Sequence, residues 1–177
     1  MAEIALHVGI WVCGTAYKVD TTGEATVLYN FCSVAKCADG SYLAVGLVED
    51  AAGNLYGTTP VGGKQVHYGT VFRVDPHGNE TVLYNFPGHD LQQVYASALV
   101  LDAAGNLYGT TLFDGAFRQG SVFEVPNSGR TRLLHSFNGG TDGGAPYGLL
   151  LDAAGILYGT TGAGGQLGSG TLYELTP

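Results

Sequence analysis

Three aspartates, Asp39 in CADGS, Asp90 in GHD and Asp142 in GTDGG, are the residues whose type and recurrence best suit chemistry in this 177-residue chain. Brought to one rim by a repeating fold, they would form a ring of carboxylates. Such a ring suits a polar ligand or a hard cation such as Ca2+, because hard cations gather several oxygens. The competing reading is that each carboxylate closes its own loop by an Asx-type bond to nearby backbone. Their distances from the preceding phenylalanine are 8, 4 and 5 residues, an unevenness that favours loop closure over a ring. Asp39, Asp90 and Asp142 are therefore candidate ligand-binding residues only, with no catalytic residue, no resident metal and no cofactor assigned.

Cys32 and Cys37, in FCSVAKCADG, are spaced for a short disulfide loop. A bridge there implies an oxidising compartment, and two free thiols imply the opposite. Without two further ligands the pair makes a poor zinc site. Cys13 is expected to be buried beside Trp11 as a small apolar residue. The five histidines share no repeat position and show no metal-ligand spacing. Nucleophile elbow, phosphate-binding loop and dinucleotide fingerprint are all missing from the sequence. A carbohydrate-active enzyme would need acids unique to one repeat, for which Glu3, Glu49 and Asp114 are the unmatched residues.

Charge narrows the partners. Seven Lys and Arg against fifteen Asp and Glu give a net charge of −8. Nucleic acid binding needs a basic face to neutralise phosphates, and no basic run exists here. No apolar run reaches the roughly 18 residues of a spanning helix, so membrane insertion is not expected. The opening MAEIALHVGIWVCGT lacks a positive n-region and reads as a strand or docked arm rather than a signal peptide.

What must position these residues is a repeat. DAAGNLYGTT occupies Asp50–Thr59 and Asp102–Thr111, and returns with Ile156 for Asn at Asp152–Thr161. Spacing near 50 residues means one supersecondary unit used several times. Each unit reads as four short strands. The first, a small residue and then aliphatics (Gly46–Val48, Ala98–Leu101, Gly148–Leu151), suits a fully buried strand. An Asp-Ala-Ala-Gly turn leads to NLYGTT, whose tyrosines are expected to pack between sheets. The third strand alternates: Phe72 and Val74, Phe123 and Val125, Tyr173 and Leu175 share an apolar face, while Arg73, Glu124 and Glu174 point to solvent. A second turn leads to TVLYNF or RLLHSF, and no helix is predicted.

Gly14–Phe31 matches strands three and four of a unit whose first half is missing, and the last unit ends after its third strand. The boundaries are a leading half-blade with an N-terminal arm (1–31), two blades (32–86 and 87–137) and a blade lacking its fourth strand (138–177). The predicted fold is all-β: a β-propeller-like array of four-stranded antiparallel blades, about three to four per chain. Ala25–Phe31 would complete the last blade beside Gly170–Leu175, or the uncovered end blades would drive self-association.

LYGTT, a downstream Gly-Gly, GTVF, then VLYNF or LLHSF and a DG-containing loop together resemble the GloVer tandem repeat of bacterial proteins, from Gly14 to the C-terminus. The resemblance implies a propeller-like repeat and an extracellular or cell-surface setting, and it carries over no catalytic residue. The expected function is a non-catalytic module for binding or self-assembly. The alternative is a carbohydrate-active enzyme, or a glycan- or cation-binding propeller, that uses the rim carboxylates.

Overall fold

The structure is a computed structural model and describes residues 13–43, 46–64, 68–87 and 96–177. Trp11 and Asp90 lie outside the described residues, as do His7, His67 and His89. The chain divides into two compact units, Met1–Pro87 and Gly88–Pro177.

One turn chemistry sets the register in both. Asp20, Asp50, Asp75, Asp102 and Asp152 each accept, at Oδ1, the backbone N–H groups two and four residues further on. The glycine three residues on adopts φ between +81° and +90°, a region closed to most side chains, and returns its N–H to the Asp carbonyl. A turn fixed at both ends leaves its two strands one way to pair.

The first unit holds β1 (Thr15–Val19) and β2 (Ala25–Asn30), a two-stranded antiparallel sheet. A second sheet runs β3 (Val48–Glu49), β4 (Leu55–Thr59), β5 (Thr70–Val74) and β6 (Glu80–Asn85), in chain order. The second unit repeats this with β7 (Ala96–Leu101), β8 (Leu107–Thr111), β9 (Ser121–Val125) and β10 (Arg132–Ser136). It adds a three-stranded sheet of β11 (Gly144–Leu151), β12 (Leu157–Ala163) and β13 (Leu172–Leu175).

Two details of the motif explain the packing. The glycine of LYGTT sits directly opposite an aromatic residue of the third strand: Gly57 opposite Phe72, Gly109 opposite Phe123, Gly159 opposite Tyr173. A Cβ at any of the three would overlap that ring, so the ring lies across bare backbone. The last threonine of LYGTT bonds the hydroxyl that opens strand three. These pairs are Thr59 with Thr70 at 2.9 Å, Thr111 with Ser121 at 2.7 Å and Thr161 with Thr171 at 2.9 Å. Hydroxyls buried in the sheet thus satisfy each other.

The third-strand ring then receives the phenylalanine that ends the preceding sheet. Phe31 packs on Phe72 with ring centroids 4.5 Å apart, and Phe137 on Tyr173 at 5.0 Å. Each of these phenylalanines is buried, in cores with Ala16 and Val74 in the first unit and with Val122 and Leu157 in the second.

Several expectations need correcting. The first strands are not fully buried, since Tyr147 and Leu150 of β11 are exposed and β3 is only two residues long. Glu124 is 4% exposed rather than solvated, because Arg132 on β10 lies over it in an ion pair. β2 pairs with β1, and β13 is an outer strand of its three-stranded sheet. Cys13 is exposed. A 3-10 turn at Ala35–Cys37 stands where no helix was expected.

Replacing Gly109 by Ala drives a methyl group into the Phe123 ring and should cost about 1–3 kcal/mol in urea unfolding. Gly148→Ala, whose added carbon meets only Thr160 Oγ1 at 3.9 Å, should be neutral within about 0.5 kcal/mol. Equal effects at the two positions would contradict the role given to the bare backbone.

Candidate functional site

The loop after β2 builds the one enclosed carboxyl cluster among the described residues. The Cys32–Cys37 disulfide closes it, as the spacing suggested. Three of its residues hold positive φ without being glycine: Cys32 at 62°, Lys36 at 60° and Cys37 at 50°. Backbone bonds fasten this loop: Cys32 N–H donates to Gly40 O, and Gly63 N–H donates to Cys37 O. Gly62 lies against Cys37 and Gly40 so closely that a Cβ would collide with both, which explains the Gly-Gly after LYGTT in this unit. Covalent closure and backbone contact together fix where the next carboxyl points.

That carboxyl is Asp39, 2% exposed. Its Oδ2 accepts from the Tyr29 hydroxyl at 2.9 Å, the Ser33 N–H at 2.9 Å and the Ser33 hydroxyl at 3.0 Å. Its Oδ1 is buried without a hydrogen-bond partner, and so is Oε1 of Glu80, the first residue of β6. Burial, and next the charge of Asp39, push the Glu80 carboxyl up to about 7. Burial also raises the Tyr29 phenol; the Ser33 bond opposes that and Asp39 adds to it. Two carboxyls with orphan oxygens, one titrating near neutrality, can hold or release a proton close to physiological pH.

Asp142 repeats part of this geometry in the second unit. It accepts the Asn138 N–H at 3.1 Å and lies 3.4 Å from His135 Nε2. His135 occupies the same place in β10 that Tyr29 occupies in β2. Both described aspartates therefore accept from backbone of their own loop and lie beside the side chain two residues before the preceding phenylalanine, Asp39 bonded to Tyr29 and Asp142 3.4 Å from His135. Asp90, the third candidate, falls outside the described residues. Among those residues no three His, Cys, Asp or Glu side chains gather to hold a metal ion.

A cavity of about 230 Å3 opens beside β13, lined in part by His135, Phe137, Asp142, Leu172, Tyr173 and Leu175. The Tyr173 hydroxyl is buried there without a partner, and burial pushes it up to about 12.

The turn aspartates serve the fold. Asp50 Oδ2 also accepts from Asn54 Nδ2 at 2.8 Å and Tyr56 OH at 2.9 Å, and Asp102 from Asn106 and Tyr108 at 2.8 and 3.2 Å. The Asn54 side chain is the main cause that holds Asp50 below the usual carboxylate range, as Asn79 does for Asp75. The tyrosines of NLYGTT are thus tied to the turn as well as packed.

Sequence reading missed Glu80, Tyr29 and Ser33. The available signal was that Glu80 fills a slot held by Ala25 and Thr131 in the other units, which makes it an acid of one blade only.

Repeated antiparallel meanders with one turn chemistry and one aromatic contact define a propeller-like repeat protein. The chain belongs to the Gloeobacter/Verrucomicrobia repeat family, whose model matches residues 5–177. Among solved structures, an X-ray structure named as a "putative gluconolactonase" aligns with a TM-score of 0.51 over 89% of this chain at 20% identity. The chain spans 51% of that protein, about half its length. At that identity the likeness is one of fold. No curated protein matches the chain.

Glu80 gives a signed pH dependence. Its carboxyl titrates near 4.5 when unfolded and about 7 when folded, so between these values the native state binds the extra proton. Stability should therefore fall as pH rises from about 4.5 to 7, by on the order of 1–3 kcal/mol for this group. Glu80→Gln should flatten that slope, measured as urea midpoints across the range; an unchanged slope would contradict the assignment.

Proposed function

We propose that this chain is a non-catalytic repeat module that works by binding or self-assembly through its end sheets, in an extracellular or cell-surface setting. The observation that carries the reading is the exposure of Leu172 on β13, an outer strand of its sheet among the described residues. Leu172 is 77% exposed there, whereas Val71 and Val122, in the same position of β5 and β9, are 0% exposed. An apolar edge strand of this kind is a pairing surface unless covered. The disulfide suits an oxidising compartment, and the uniformity of the repeats suits assembly better than catalysis.

The structural neighbour bears an enzyme's name, yet at 20% identity it supports a shared fold and no more. A carbohydrate-active protein would use Glu80, whose carboxyl is pushed up to about 7 by burial and next by the charge of Asp39. At 2% exposure Asp39 offers a glycosidic oxygen no approach, which weighs against that alternative.

Light scattering on the purified chain at micromolar concentration should give a mass above 18.3 kDa. Leu172→Lys should return it toward that value. A strictly monomeric parent protein would count against self-assembly.

A further inference from the structure

The loop between β2 and β3 is the one place, among the described residues, where a covalent bond, strained backbone and a buried charge meet. The Cys32–Cys37 bridge spans a sequence separation of only 5. So short a ring removes little freedom from the unfolded chain, and its contribution to overall stability is correspondingly small. Its effect is on the loop itself. Cys32, Lys36 and Cys37, all within the ring, hold positive φ, which side chains resist. Asp39, two residues beyond, is 2% exposed, with Oδ1 unbonded among the described residues. Water would satisfy that oxygen, and burial keeps water away. The closed loop is held against its own preferences.

What holds it starts at the ring. Ser33, inside the ring, donates both its N–H and its hydroxyl to Asp39 Oδ2, so the shape of the ring sets where the carboxylate can bind. Only the third donor, Tyr29, belongs to a strand. Cys32 N–H donates to Gly40 O and Gly63 N–H to Cys37 O, so both ends of the ring are fastened through the cysteines. The two sulfurs differ in access, since Cys32 is half-buried and Cys37 is buried.

We propose that the Cys32–Cys37 bridge is a redox latch on the Asp39 carboxylate: reduction by a dithiol releases residues 32–40, and Asp39 leaves its buried place for water. One thiolate of the reductant attacks Cys32 Sγ, the S–S bond breaks and Cys37 leaves as a thiolate. The second thiol then displaces Cys32 from the mixed disulfide. Two electrons pass to the protein, the dithiol ends as a disulfide, and its two protons end on Cys32 and Cys37 by way of water. Glu80 on β6 reports the event. Burial raises its carboxyl first and the Asp39 charge next, and Tyr29 is the other titratable group coupled to it among the described residues. Once Asp39 has moved away, the Glu80 carboxyl falls from about 7 toward its ordinary 4.5 and gives up its proton near neutral pH.

The test uses the full 177-residue chain carrying Cys13→Ser, which removes the exposed third thiol. Glu80 is followed by carbon NMR on protein labelled with 13C-glutamate, its signal being the one lost in Glu80→Gln. Titrations compare oxidised protein, protein reduced beforehand with dithiothreitol, and a Cys32→Ser, Cys37→Ser double variant. A midpoint near 7 is expected in the oxidised protein and a lower one in the other two, with circular dichroism unchanged. Trypsin cleavage after the exposed Lys36 should quicken about tenfold on reduction. An unchanged midpoint or unchanged cleavage in reduced, folded protein overturns the proposal. Loss of the whole fold on reduction also overturns it, because the bridge would then be a global staple. In Asp39→Asn, Glu80 should start lower and reduction should move it less. A fall as large as in the parent would show that Asp39 is not what the bridge holds.

Discussion

The structure depends on one contact: a phenylalanine at the end of one sheet lies on an aromatic ring in the third strand of the next, and that ring lies on a glycine. Phe31 on Phe72 over Gly57, and Phe137 on Tyr173 over Gly159, are the two instances within single units. Each element needs the others. Without the glycine the ring cannot lie flat against its sheet, and without the ring the phenylalanine has nothing to cover. A buried phenylalanine contributes roughly 1.5–3 kcal/mol by removal from water, and an edge or tilted ring pair about 0.5–1.5 kcal/mol beyond that. These sheets are too small to stand alone, so packing against a neighbour is a condition of their existence.

Around that contact the sequence divides into residues that are bound to the repeat and residues that are not. The turn aspartates, their glycines and the paired threonine hydroxyls return in almost every unit because each satisfies backbone or hydroxyl groups that the meander would otherwise bury unpaired. The loops between sheets carry no such obligation. One of them acquired a disulfide, three strained residues and a buried carboxyl. Individuality in this chain sits there, not in the repeated strands.

Much of this was legible in the residues. Repeat spacing, strand types, the Asp-x-x-Gly turns and the Cys32–Cys37 bridge follow from local rules that act within a few positions. What local rules could not give was anything set by a neighbouring strand. Glu124 alternates onto a polar face and reads as solvated, yet Arg132, eight residues away, folds back over it. Glu80 begins an ordinary strand, and only the loop that brings Asp39 near raises its proton affinity. The first strands read as buried from their aliphatic runs, but burial depends on what lies over the strand, and Leu150 is exposed. Strand boundaries drifted by a residue or more for the same reason: pairing, not composition, ends a strand.

A double-mutant cycle on Phe31 and Phe72, each changed to leucine singly and together, measures the contact on which the sheets rely. Coupling of about 0.5–1.5 kcal/mol in urea unfolding is expected, with the same result for Phe137 and Tyr173. Strictly additive losses at both seams would show that each sheet holds its ring independently, and would contradict the account.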